Sequence, residues 1–330
     1  MKNYARIISP ALAVLIIAGS CSACVPAAPS GTRESVISVA DEDTNMDLGQ
    51  EMIPLAQSPA VPVVLTPVAS GAQVKRNAKS VIDYSNTADG YVMVKWTAET
   101  KKQLRVLITG SGGATYTYTI LPDNTFEVFP LSDGNGSYTV NVYEQTDGSK
   151  YALANTLNVK VTLKDEFAPF LRPNQYVNFS GDSRVAEKAA ELVTGKDSLT
   201  DKIAAVYNFV VSNFSYDKEL ADSVQSGYLP DVDAVLSRRK GICFDYAAVM
   251  AAMLRSQGIP VKLVVGFAGD AYHAWISVYS EQTGWINKAI FFDGKSWKLM
   301  DPTFESSMKN AAALQNFIGD GSNYLEKYLY

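Results

Sequence analysis

The chain has 330 residues, enough for two modest domains, and 47% of them are hydrophobic. The formal net charge is −5, which argues against nucleic acid as a partner. One histidine and three cysteines are too few for a zinc cluster, and the sequence has no P-loop and no dinucleotide-binding fingerprint. We therefore expect no metal and no cofactor.

Residues 1–20 have the features of an export signal. Lys2 and Arg6 give a basic start, and the apolar run 7–18 is too short for a usual membrane-spanning helix. The Ala-Gly-Ser triplet before Cys21 resembles a bacterial lipoprotein box, which implies cleavage before Cys21 and lipid attachment to its thiol. We expect a protein anchored by lipid to the outer face of the bacterial cell membrane. The alternative is an ordinary signal peptide and secretion.

Residues 21–80 are predicted to be a disordered tether. Ala, Ser, Val and Thr dominate this stretch, prolines recur and aromatic residues are absent from 22–80. Such a composition buries too little apolar surface to offset the chain entropy lost on folding.

Residues 81–165 are predicted to form a small immunoglobulin-like β-sandwich. Short alternating runs are separated by glycine-containing turns: YVMVKW, RVLIT, TYTYTI, TFEVFP, SYTVNVYE and LNVKV. The segment contains no cysteine and no histidine, so we expect a spacer or a substrate-presenting module. An alternative left open is that the Tyr-Thr strand faces solvent as a binding surface.

Residues 166–330 are predicted to form the second domain. Helix signals occur at 184–193, from the Ser198 cap to about Phe214, and at 231–239. A further helix, buried on nearly every face, begins at Cys243 and ends at Gly258. The strands VKLVVGFA, AYHAWISVY, WINKAIFF and SWKLM are expected to form one antiparallel sheet, with NYLEKYLY as an added edge strand.

Cys243 has the setting of a nucleophile. It begins a helix, where unpaired N–H groups and the helix dipole favour the thiolate, and Arg238, Arg239 and Lys240 lie just upstream. Outside the N-terminal pair Cys21 and Cys24, it is the only thiol of the chain. A free cysteine is usually a small buried hydrophobe, but a lone thiol in an exported protein is better explained by chemistry.

His273 and Asp301 are the candidate partners of that thiol. His273 is the only histidine, and both residues lie in sequences with strand character. The turn pair Asp293-Gly294 lies between them, so the sequence predicts a hairpin that brings imidazole and carboxylate together. A thiol nucleophile needs such a base, and the base needs an acceptor that fixes its tautomer.

The motifs GICFDYA, YHAW and MDPT resemble those of the transglutaminase-like superfamily, whose core would cover about residues 182–305. The resemblance implies a papain-like α+β fold of helices packed on an antiparallel sheet. It also implies that Cys243 attacks a carbonyl, that His273 takes and returns the proton and that Asp301 orients the imidazole. The backbone N–H of Cys243 would bind the oxyanion, with Gln225 or Tyr228 as candidates for a second donor.

Two classes of function follow from these observations. The first is a thioester-forming acyl-transfer enzyme acting on a peptide bond or a glutamine amide, with hydrolysis favoured over crosslinking because water needs no dedicated channel. The second is a catalytically silent cell-surface binding or scaffold module. We expect a monomer with a protein or peptide substrate, for which cell-wall material is one source.

Overall fold

The computed structural model describes residues 61–281, 284–286, 290–292, 297–299, 303 and 324–330. The predicted export signal, Cys21 and Asp301 lie outside these residues. The described residues belong to one compact unit. No helix within them is long and apolar enough to cross a lipid bilayer.

The N-terminal half of the described chain consists of two antiparallel sheets, in the orders β1-β2-β3-β6 and β5-β4-β7-β8. Their inward-facing side chains, among them Ile82, Trp96, Val106 and Val140, belong to one hydrophobic core. The strands are β1 Val74–Arg76, β2 Ser80–Asp83, β3 Tyr91–Trp96, β4 Leu104–Thr109, β5 Thr115–Ile120, β6 Glu127–Pro130, β7 Gly136–Asp147 and β8 Lys150–Val161.

Ordered structure begins earlier than the composition predicts. Strand β1 lies inside the stretch predicted to be a disordered tether, and it pairs with β2. Farther upstream, the Val63 N–H donates to the Ser256 carbonyl at 2.6 Å. These main-chain hydrogen bonds supply the stabilisation that the apolar content of the segment does not.

Strand β5 points its tyrosines inward. Tyr116 and Tyr118 are buried, whereas Thr115, Thr117 and Thr119 between them are exposed. Only the threonine face of this strand meets solvent, because the tyrosine rings pack on Tyr328 and Tyr330 in the second half of the chain.

That second half combines five helices with short strands among its described residues. Its elements are α1 Arg184–Val193, α2 Leu199–Asn213, β9 Ser215–Tyr216, α3 Lys218–Ser223, α4 Val232–Arg238, β10 Lys240–Gly241, α5 Cys243–Arg255, β11 Val261–Ala268, β12 Ala271–Ser280, β13 Gly284–Ile286, β14 Ile290–Phe292, β15 Trp297–Leu299 and β16 Tyr324–Leu329. The α+β class predicted from the sequence is confirmed.

Helix α5 is the centre of this half, as its apolar sequence predicts. It packs against α1, α2 and α4 and against strands β11 and β12. Every residue from Asp245 to Arg255 is buried. The turn after the helix uses Gly258 at φ +74°, the left-handed conformation that glycine adopts without strain.

Arg255 ties the C-terminal end of α5 to its surroundings. Its guanidinium is fully buried and donates to the carbonyl oxygens of Arg172 at 2.8 Å, Val261 at 2.6 Å and Tyr330 at 2.6 Å. Hydrogen bonds from a charged group to main-chain acceptors offset its desolvation. One side chain therefore joins the segment around Arg172, the start of β11 and Tyr330, the residue that follows β16.

The main sheet of this half has the order β13-β12-β11-β16. The predicted edge strand near the end of the sequence is confirmed, since β16 pairs with β11. The prediction of one continuous sheet is wrong in part, because β14 and β15 pair only with each other among the described strands. The strands that flank Asp293-Gly294 are thus β14 and β15, and β12 is paired with β11 and β13 instead.

Candidate active site

Cys243 is the first residue of α5, as predicted, and its thiol is free and half-buried. The preceding residue, Ile242, is extended and has no side-chain acceptor for the N–H groups of the first turn. A helix start without a side-chain cap leaves partial positive charge beside the sulfur. The position suits a group that carries or develops negative charge.

The basic residues before Cys243 are engaged with other groups. Arg239 donates to the Asn213 side chain at 3.0 Å, and Lys240 forms an ion pair with Asp217 at 3.2 Å. Arg238 donates to the Lys240 carbonyl at 2.7 Å. The three side chains therefore bind groups other than the Cys243 sulfur.

Asp245 supports the turn that leads into Cys243. It is fully buried; one carboxylate oxygen accepts from the Ile242 N–H at 2.9 Å and the other from the Tyr228 hydroxyl at 2.7 Å. Arg238 lies 3.6 Å from the carboxylate. Burial raises the pKa of the Asp245 carboxyl, and these three partners oppose that rise. Asp245 is the third residue of α5, a position from which an acidic side chain can accept from the backbone N–H of the cap residue.

Neither predicted side-chain oxyanion donor is poised for that role. The single hydroxyl hydrogen of Tyr228 goes to Asp245, and Arg238 donates to its oxygen at 3.4 Å. Gln225 is exposed and donates through Nε2 to the Ser223 carbonyl at 2.8 Å. Tyr228 therefore holds Asp245, and the second donor has to be sought elsewhere.

His273 lies near the start of β12, opposite Gly266 of β11, and is 5% exposed. Its ring stacks near Trp275, with centroids 6.1 Å apart, and Tyr324 is 6.4 Å away. Residues two apart share a strand face, so His273 and Trp275 lie on one face, while Ala274 and Ile276 enter the core that contains α5. Among the described contacts, no hydrogen bond joins Cys243 to His273.

Two tyrosines lie within electrostatic reach of Cys243. Burial raises the pKa of Tyr272 to about 12, with negative charge on Tyr328 and on Cys243 as further causes. Burial also raises the pKa of Tyr216, and there Cys243 is the next cause. Since Tyr272 precedes His273, the start of β12 and the start of α5 lie at the same end of the sheet.

Aromatic side chains connect the β-sheets of the first half to this helix. Tyr118 packs on Tyr330 at 5.9 Å between ring centroids, and Tyr330 packs on Tyr176 at 4.6 Å. Tyr176 in turn meets Phe244, the neighbour of Cys243, edge to face at 5.2 Å. The first half of the chain thus contributes to the packing around the nucleophile.

A cavity of about 470 Å³ opens between residues 175–183 and 229–233, with Asp231 and Asp233 in its wall. Both carboxylates cap helices, Asp231 that of α4 and Asp233 that of α1. Cys243 is not among the lining residues, so the cavity does not define the reaction centre. Within the described residues, no group of three or more His, Cys, Asp or Glu side chains could hold a metal ion.

The model of the transglutaminase-like superfamily matches residues 186–288, which include α5 and the strand of His273. These residues are a transglutaminase-like domain. The family identification made from three short motifs is thereby confirmed.

Three known proteins resemble this chain. The chain is 28% identical over 189 residues to protein YebA of Bacillus subtilis, covering 49% of this chain and 25% of YebA. It is also 28% identical over 109 residues to a protein-glutamine gamma-glutamyltransferase of Pseudomonas aeruginosa, covering 28% of this chain and 14% of that one. A solved structure from Cytophaga hutchinsonii has a TM-score of 0.36 at 15% identity and covers 78% of this chain and 73% of that chain. This chain therefore spans a quarter or less of the two relatives.

Two residues of the transglutaminase-like domain were missed as parts of the site. Asp245 carried a sequence signal, since it stands three positions after the cap residue of α5. Tyr216 had no sequence signal, because strand β9 has only two residues and is too short to show a hydrophobic periodicity.

Proposed function

We propose that the transglutaminase-like domain is a cysteine-dependent acyl-transfer enzyme that acts on peptide or glutamine amide carbonyls through a thioester on Cys243. The observation that carries this proposal is the half-buried, free thiol at the start of a buried helix. The first turn of such a helix directs its backbone N–H groups to the place where an oxyanion forms.

In the proposed reaction the Cys243 sulfur attacks the carbonyl carbon, and the C=O electron pair moves to oxygen. His273 is assigned as the base that takes the thiol proton and returns it to the leaving amine, and Asp301 as the group that orients it.

Hydrolysis of the thioester by water is our preferred outcome. Crosslinking is the second candidate, and similarity to the Pseudomonas aeruginosa protein-glutamine gamma-glutamyltransferase favours it. The two outcomes share the acylation step and differ in the nucleophile that attacks the thioester.

The test incubates wild type, Cys243→Ala and His273→Ala with casein and a fluorescent primary amine. We expect new peptide termini or released ammonia that disappear in both variants. Amine incorporation that depends on Cys243, without cleavage, would establish crosslinking. Full activity of Cys243→Ala would refute the enzymatic assignment, and iodoacetamide labelling of the wild type shows independently whether the thiol is accessible.

We also propose that the enzyme is exported and held at the outer face of the cell membrane by lipid on Cys21. The motif before Cys21 supports this location, which would bring the domain to protein or peptide substrates outside the cell.

A further inference from the structure

The second oxyanion donor is the missing part of the acyl-transfer site. A tetrahedral intermediate on Cys243 places its oxyanion close to the sulfur, at the N-terminus of α5. The backbone N–H of Cys243 supplies one donor, and a second preorganised donor is typically worth a further 10²–10³-fold in rate. The hydroxyl hydrogen of Tyr228 is committed to Asp245, and Gln225 is exposed and bonded to the Ser223 carbonyl.

The geometry points to Tyr216 as that second donor, an inference that rests on the proposed function and adds a catalytic residue to it. Strand β9 pairs in parallel with β10, and Tyr216 lies opposite Gly241, two residues before the nucleophile. The Asp217 N–H donates to the Gly241 carbonyl at 2.8 Å, which fixes this register. Tyr216 is thus attached to the segment that leads into α5.

The direction of the Tyr216 side chain follows from its neighbour. Phe214 is buried and packs edge to face on Tyr246 of α5, with ring centroids 5.6 Å apart. The chain is extended at Phe214, with φ −104° and ψ 150°. Side chains two residues apart in an extended chain point to the same side, so Tyr216 also faces α5, while Ser215 between them is exposed.

The chemistry of the phenol suits an oxyanion donor. Burial raises the pKa of Tyr216, and the neighbouring Cys243 is the next cause, so the hydroxyl keeps its proton at neutral pH. Among the described contacts, the Tyr216 hydroxyl has no hydrogen-bond partner. A neutral O–H that faces developing negative charge stabilises the intermediate and takes no part in the proton transfers.

The Cys243 thiolate forms the S–C bond, the carbonyl π pair moves onto oxygen, and the Tyr216 O–H and Cys243 N–H donate to that oxygen. Collapse restores the C=O bond and breaks the bond from the carbonyl carbon to the leaving group, which takes that electron pair; a leaving amine also takes a proton from His273. Tyr216 keeps its own proton throughout.

The test measures two reactions of the same thiol in the full chain. Acylation by p-nitrophenyl acetate passes through an oxyanion, whereas alkylation by iodoacetamide displaces iodide at a saturated carbon and does not. We expect Tyr216→Phe to lower the acylation rate by about 100-fold or more and to leave the alkylation rate unchanged. The unchanged alkylation also shows that the start of α5 is intact.

Three results would overturn the assignment. The first is an acylation rate in Tyr216→Phe equal to that of wild type. The second is an equal fall in acylation and alkylation, which would mean that Tyr216 tunes or positions the thiol. The third is a larger loss in Tyr272→Phe, the variant that removes the other hydroxyl near Cys243. If Cys243→Ala still hydrolyses the ester, the proposed function itself fails, whatever Tyr216 does.

Discussion

Gly241→Ala tests whether the turn before Cys243 is as tightly packed as the structure shows. A Cβ added at Gly241 would lie 2.6 Å from Cβ of Asp245 and 2.8 Å from its Oδ2. Carbon atoms in contact prefer separations of about 3.5–4.0 Å, so the overlap approaches 1 Å. The Asp245 Cβ is fixed by the first turn of α5, and a side-chain rotation cannot relieve the clash.

The backbone around Gly241 therefore has to move, and this movement sets the expected losses of stability and of catalytic rate. Overpacking of this kind lowers the free energy of unfolding by about 1–3 kcal/mol. A displacement near 1 Å at the nucleophile also lowers catalysis by up to about 100-fold. Urea denaturation measures the first quantity, and acylation of Cys243 by p-nitrophenyl acetate measures the second.

Gly181→Ala is the matched control. No atom lies within 4 Å of a Cβ at Gly181, and its φ is not positive. This variant should leave acylation unchanged and keep or raise the free energy of unfolding by up to about 1 kcal/mol. Wild-type stability and wild-type acylation in Gly241→Ala would refute the reasoning.

Three further predictions follow from the site and the sequence. Burial raises the pKa of Asp245 above its ordinary 3.8, so the unfolded chain loses this proton first as pH rises. The free energy of unfolding of wild type, relative to Asp245→Asn, should therefore fall as pH rises through the window just above 3.8; a difference that grows with pH in urea titrations contradicts this. Activity should be insensitive to a chelator, because no described carboxylate cluster could hold calcium; a loss restored by calcium contradicts that. Cys21→Ala should move the protein from the membrane fraction to the soluble fraction, and mass spectrometry of the wild type should find an acylated Cys21. An unmodified N-terminus at another position would indicate plain secretion.

The sequence predicts the elements of the site better than their mutual placement. The start of α5 at Cys243 and the strand Thr115–Ile120 follow from caps and alternation. The bond from Tyr228 to Asp245 joins residues 17 positions apart and leaves no periodic signal. Likewise, a turn pair such as Asp293-Gly294 predicts a hairpin but does not choose which strands of a sheet become neighbours, and β12 pairs with β13 here.

The sequence also does not show which face of a strand points toward a given helix. Alternation places His273 with Trp275, but it does not say which of the two faces meets α5. Both faces of β12 are buried from His273 to Val278, and each carries a large apolar side chain, Trp275 on one and Ile276 on the other, so hydrophobicity alone cannot decide. Only the packing of the whole domain assigns Ala274 and Ile276 to the α5 side.

Arg255 has a consequence for the order in which the molecule assembles. Its guanidinium bonds one carbonyl 83 residues earlier in the chain and another 75 residues later. Contacts this distant in sequence form slowly, because each closes a long loop. The C-terminal end of α5 therefore keeps its full set of acceptors only after Arg172 and Tyr330 have both reached it. A growing chain that has not yet produced Tyr330 lacks one of the carbonyls that bind this buried guanidinium.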